Sequence, residues 1–252
     1  MGSETQSRLA NAELIRLRRW STPAVYNGWE QITAHDVRRV GSNREETRDF
    51  QPEMGPMVGY AVTVAIRSSD RNAAEESPDA WREYRQYLAS RNWPKIVVVQ
   101  DLDKPHTFGS FWGEVNISVH LALGCIGTIT DGAVRSLDTL RKLGFKSLAR
   151  RACVGRGHVW PVKWGCDVNV FGTTVSPDQL IHADEHGFLA IPPEDEHAIL
   201  EATKFMDALE SRTVIAEANN VPTTNMQEIS ERLEDSFDLF GKAVARKFGK
   251  PH

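Results

Sequence analysis

Residues 112–136 read WGEVNISVHLALGCIGTITDGAVRS, and the fold turns on this stretch. Gly113 opens a helix predicted over Glu114–Leu123, with Val115, Ser118, Val119 and Ala122 along one side as a small packing face. Gly124 ends it, since glycine accepts the left-handed backbone that closes a helix. Ile126–Thr130 is strand-like, Asp131-Gly132 reads as a turn, and Ser136–Leu143 as a short helix. Leu137, Leu140 and Leu143 face inward in that reading, with Ser136 as N-cap and Gly144 as C-terminal cap.

Upstream, Ile96-Val97-Val98-Val99 is a continuous apolar run, the mark of a strand buried on both faces and so of a parallel sheet. Gly59–Ile66 is a further β-branched strand. Between them Ser77-Pro78 starts a capped helix running to about Ser90. Residues 8–20 carry helix formers, Thr22-Pro23 opens a helix to about Gln31, and 32–56 reads as an irregular connection. Downstream come short strands at Ser147–Cys153, Val168–Val170, Thr174–Val175, Leu180–His182 and Phe188–Ile191. Helices follow at about Pro193–Ala218 and Thr224–Phe248. The expected organisation is an N-terminal helix over 1–20, an α/β domain with a mixed sheet over 21–192, and a helical extension over 193–252.

Bulk properties narrow the function. A net charge of -4 and only short basic pairs argue against a nucleic-acid surface. No apolar run approaches the roughly 20 residues of a membrane span, and Met1–Gln6 is polar. Cys125, Cys153 and Cys166 are odd in number and share no close spacing, which disfavours disulfides and zinc sites and points to a cytoplasmic location.

The chemistry concentrates on consecutive units of one sheet. Free N–H groups at Gly113, Val115 and Asn116 make a carboxylate site at a helix start. Asp131 lies at the carboxyl end of a strand, where α/β proteins place ligands. Arg135 can grip a carboxylate with two parallel hydrogen bonds. His158, in a glycine-flanked basic pair with Arg156, is a candidate general base. His182, Asp184 and His186 sit near a strand end without an obvious fourth donor, so a structural hairpin is favoured over a metal cluster. His120 reads as structural, and Phe111 and Trp112 as either pocket wall or core.

Several segments resemble RraA-like proteins, the family of the 4-hydroxy-4-methyl-2-oxoglutarate and 4-carboxy-4-hydroxy-2-oxoadipate aldolases and of a ribonuclease E regulator. They are Gly59–Val64, Gly113-Glu114, Gly124–Arg135, Val175-Ser176-Pro177 and Ala183–Pro192, within about residues 20–192. The aldolase pattern places a glycine, three residues, an acid, twenty residues, then Arg-Asp; here twenty residues separate Glu114 from Arg135, but Ser110 stands at the glycine position, with glycines at 109 and 113. The resemblance implies a layered, swivelling β/β/α-type domain and assembly as trimers or hexamers. It also implies a lyase acting on a small carboxylated 2-oxo or hydroxy acid, by retro-aldol cleavage or decarboxylation. Arg135 then binds substrate and Glu114 is the acid near a divalent metal, magnesium or manganese. Ser136 stands where the aldolases carry the metal-holding aspartate, and a neutral hydroxyl is a poor replacement. Asp138 is the nearest substitute donor. The alternatives are a non-catalytic regulator, or a hydrolase or isomerase using the same pocket.

Overall fold

The computed structural model describes residues 8–220 and 222–249. Its elements are, in chain order, α1 (Asn11–Leu17), α2 (Thr22–Ile32), β1 (Arg48–Asp49), β2 (Met57–Arg67), α3 (Ala73–Glu76), α4 (Ala80–Ala89), β3 (Lys95–Asp101), α5 (Glu114–Ala122), β4 (Cys125–Val134) and α6 (Leu137–Leu143). There follow β5 (Lys146–Ala152), β6 (Trp160–Trp164), β7 (Val168–Val170), β8 (Thr173–Val175), β9 (Leu180–Asp184), β10 (Gly187–Ile191), α7 (Glu196–Arg212), α8 (Val214–Asn219) and α9 (Met226–Phe248).

The main sheet runs β1-β5-β4-β3-β2-β9-β10, with β6 also paired to β2. Its centre, β2-β3-β4-β5, is parallel, and the flanking pairs are antiparallel. This is a mixed sheet, and the apolar run is buried on both faces as its composition requires. Val97 and Val99 join Val62, Val64, Tyr84, Ile117 and Leu140 in one core. Ile96 and Val98 join Ala61, Ile129, Leu148, Phe171 and Ile181 in the other. The two-residue period of the strands sorts neighbours to opposite faces.

The chain divides into two compact units. One comprises Leu9–Thr22 and Asp36–Pro193 and holds the whole sheet. The other comprises Pro23–His35 and the described residues from Glu194 onward. In the second unit α2 crosses α7 so closely that a Cβ on Gly28 would meet the Thr203 nitrogen at 2.5 Å. Trp29 Nε1 donates to Asp195 Oδ2 at 2.9 Å. Met206, Leu209 and Val244 form a small core there, backed by Phe205, Phe240 and Phe248.

Three local expectations are corrected. Asp131-Gly132 is not a turn: β4 runs through it, with a bulge between Thr130 and Ala133 where the register against β5 shifts. The inward face of α5 is Ile117 and His120, whereas Val115 is 75% exposed and Ser118 and Ala122 point outward. On α6 only Leu140 is buried, and Leu143 is exposed.

Two buried histidines make the fold acid-sensitive. His120 Nδ1 donates to the Asn116 carbonyl at 2.6 Å, so Nε2 accepts from the Tyr84 hydroxyl at 3.0 Å. His182 Nε2 donates to the Leu17 carbonyl at 3.2 Å, and Nδ1 accepts from the Thr22 hydroxyl at 2.9 Å. Burial pushes both down to about 4. Between about pH 6.5 and 4 the unfolded chain takes up two protons that these imidazoles refuse, so stability falls as pH falls. Asp101, pushed up to about 6 by burial, and its neighbour Asp131, also raised by burial, work the other way over part of that window. The two histidine shifts together are the larger, so urea unfolding should lose stability between pH 7 and 4.5. Asp101→Asn should steepen that loss. A flat profile contradicts the assignment.

Candidate active site

A cleft of about 660 Å³ opens in the sheet-bearing unit where three segments meet. They are the start of α5, the end of β4, and the loop after β5. Backbone packing brings them together. A Cβ on Gly109 would sit 2.1 Å from the Arg156 carbonyl oxygen, so only glycine permits that approach. Ser110 N–H donates to the Gly155 carbonyl at 3.2 Å, and His158 N–H to the Ser68 carbonyl at 2.8 Å. The loop carrying His158 is thereby laid beside the turn that starts α5.

Gly113 is the N-cap of α5, with an extended backbone (φ -168) that any residue adopts. Its missing side chain matters for another reason. A Cβ there would meet Arg135 Nε at 3.2 Å and Nη2 at 3.3 Å. The guanidinium thus packs against the mouth of the helix. Ile117 N–H makes the first intrahelical bond to the Gly113 carbonyl, and no side chain caps the amides of Glu114, Val115 and Asn116.

Among the described residues the Arg135 guanidinium has one hydrogen-bond partner: Nη1 donates to the Val154 carbonyl at 3.1 Å. Its Nε is buried with no partner among the described residues. A buried donor without an acceptor is costly, and an anionic ligand on this spot relieves it. Ser136, the next residue, holds a left-handed backbone (φ 57) and makes no capping bond to α6. The serine sits at the expected N-cap position without the N-cap chemistry.

The cleft collects Gly113, Glu114, Val115, Asn116, Arg135, Ser136 and His158. Glu114 and His158 are exposed, and both bring proton-transfer groups to its edge. The Asn116 carboxamide is committed to the Phe111 carbonyl at 2.7 Å, and the Val115 side chain points to solvent, so each offers the cleft its main-chain N–H. Asp131 does not join them. It is fully buried, accepts from the Asp101 N–H at 2.8 Å and pairs with the Lys104 ammonium. The strand continues where a turn was expected, and this swings its carboxylate into the sheet.

The implied metal site fares poorly. Glu114 and Asp70 are the carboxylates lining the cleft. Among the described residues no group of three or more His, Cys, Asp or Glu side chains is placed to hold an ion. Asp138 is fully exposed beside Arg141 and supplies no replacement. With a hydroxyl at 136, this donor set does not fit magnesium or manganese. Nor do His182, Asp184 and His186 form a centre. His182 is committed to Thr22 and Leu17, while Asp184 accepts from Thr22 and His186 N–H groups at 2.8 and 2.9 Å.

Trp81, Trp160, Arg71 and Asp70 also line the cleft and were not legible in the sequence. Phe111 and Trp112 serve in both ways: they are core residues that also line the cleft.

The family model described as RraA-like: Aldolase/RraA matches residues 23–190. The protein named "Putative 4-hydroxy-4-methyl-2-oxoglutarate aldolase" of Halalkalibacterium halodurans is 27% identical over 176 residues, covering 67% of this chain and 75% of that protein. Protein DlpA of Legionella pneumophila is 26% identical over 110 residues, 43% of this chain and only 18% of DlpA. Among solved structures, an uncharacterized protein from Pseudomonas syringae pv. tomato superposes with a TM-score of 0.68 at 16% identity, covering 94% of this chain and 98% of that one. Streptomyces coelicolor RraAS2, described as an unusual member of the RNase ES inhibitor RraA protein family, gives 0.64 at 17% identity, covering 81% and 96%. These two share the fold. With the family pattern spanning two thirds of its length and the sheet architecture to match, this chain belongs to the RraA-like family.

Proposed function

We propose that the cleft binds a small 2-oxo or 2-hydroxy acid by its carboxylate and that the protein is a lyase acting on it. The observation that carries this reading is the Arg135 guanidinium, packed against Gly113 with its Nε buried and unpartnered. A carboxylate there accepts from the guanidinium and from the uncapped amides of α5 together. Donors already in place at the carboxylate end hold the acid and orient its reacting carbons without rearrangement. Glu114 and His158 at the cleft edge supply the proton transfers that carbon–carbon cleavage needs, one removing a hydroxyl proton and one returning a proton to carbon.

Because the donor set does not fit a divalent ion, pyruvate release from 4-hydroxy-2-oxo acids is expected to survive EDTA. Ser136→Asp is expected to introduce a magnesium dependence, since aspartate tolerates the left-handed backbone found there. Wild-type activity that EDTA abolishes and magnesium restores would overturn the reading of Ser136. The incomplete donor set also favours a second reading, a regulatory protein that keeps the pocket without the chemistry. Oxalate binding without pyruvate release from any such acid selects it.

A further inference from the structure

We propose that the acid held by Arg135 carries an aromatic side chain, seated on the wall formed by Trp81, Val159 and Trp160. This rests on the carboxylate-binding reading above and extends it to substrate class.

Size is the first argument. The cleft measures about 660 Å³, the middle of the range that encloses drug-sized ligands. A carboxylate and its neighbouring carbon fill only the corner around Arg135, and a three-carbon acid leaves most of the space to water.

The remaining lining is the second. Ala74, Trp81, Val159 and Trp160 are apolar, and the rings of Trp81 and Trp160 are held by their neighbours. Trp81 stacks on Phe111 at 5.2 Å and 11°, and the Arg85 guanidinium lies 5.4 Å from the same ring. Trp160 meets Trp81 edge-on at 6.1 Å and 83°, and its indole N–H donates to the Ser77 carbonyl at 2.9 Å. Rigid aromatic surface costs little to order when a ligand arrives. An aryl group gains ring contacts there, whereas an aliphatic chain gains only area. The chain Trp81–Phe111–Trp112–Gly113 connects this wall to the Arg135 corner, so one ligand can reach both. Arg71 and Arg156 are exposed in the lining and raise local anion concentration without selecting shape.

Calorimetry on the full chain with pyruvate, 2-oxoglutarate and phenylpyruvate tests this. Phenylpyruvate is expected to bind about tenfold more tightly than pyruvate. Trp160→Ala, with Trp160→Phe as the milder variant, is expected to collapse that preference. Equal affinity of pyruvate and phenylpyruvate overturns the aromatic wall while leaving the Arg135 corner standing. Tightest binding of 2-oxoglutarate, lost in Arg71→Ala or Arg156→Ala, overturns it in favour of a polyanionic ligand. If none of the three acids binds, the carboxylate reading falls and this inference with it.

Discussion

Arg135→Ala is expected to lower affinity for oxalate or pyruvate by roughly ten- to a hundredfold, the loss of about 1.5–3 kcal/mol from hydrogen bonds to a charged group. The reason is geometric. Arg135 approaches the α5 amides because residue 113 lacks a Cβ, and its Nε waits without an acceptor. Arg135→Lys keeps the charge but loses the planar fork, and should recover only part of the affinity. Neither change should unfold the protein, because among the described residues the native guanidinium makes a single hydrogen bond, to Val154. Removing a buried, unsatisfied donor is expected to be close to neutral for stability, as suits a residue kept for binding. Titration of oxalate into both variants, with urea unfolding alongside, measures the two effects separately. Unchanged affinity in Arg135→Ala would remove the basis of the functional reading.

The largest stability effect is expected at Asp49. Its carboxylate faces the Lys146 ammonium, and both side chains are 2% exposed. The other carboxylate oxygen accepts from the Gln51 N–H at 2.9 Å, and Lys146 Nζ also donates to the Gln51 carbonyl at 3.0 Å. Asp49→Ala strands a buried ammonium at the β1–β5 edge and should cost about 3–5 kcal/mol in urea unfolding. That is a large share of a typical domain's stability of roughly 5–15 kcal/mol. Lys146→Met combined with Asp49→Leu should recover most of the loss, because a pair replaced together leaves no charge unpaired. A double variant as unstable as Asp49→Ala contradicts this account.

The elements most legible in the sequence were those whose signal is local and continuous. Ile96–Val99 reads as a buried strand, and it sits between two parallel neighbours. Other signals were overridden. The Asp-Gly pair at 131 and 132 favours a turn in isolation, but pairing of β4 with β3 and β5 holds the chain extended and leaves only a bulge. The packing side of α5 was read from Val115, Ser118, Val119 and Ala122, yet His120 is buried, and partners on both ring nitrogens make that burial tolerable. β6 escaped notice because Pro161 interrupts its pattern, which an edge strand accepts and a central one does not.

The site divides in the same way. Residue types on consecutive units of one sheet put Gly113 and Arg135 together, the family resemblance added Glu114 by its spacing, and all three line the cleft. Only the tertiary structure decided that Asp131 is excluded, that Ser136 is left without companion ligands, and that Trp81 and Trp160 complete the cleft. Those outcomes depend on contacts between segments far apart in the chain. Their geometry is set by the packing of Gly109 against Arg156 and by sheet register, neither of which a local stretch of sequence encodes.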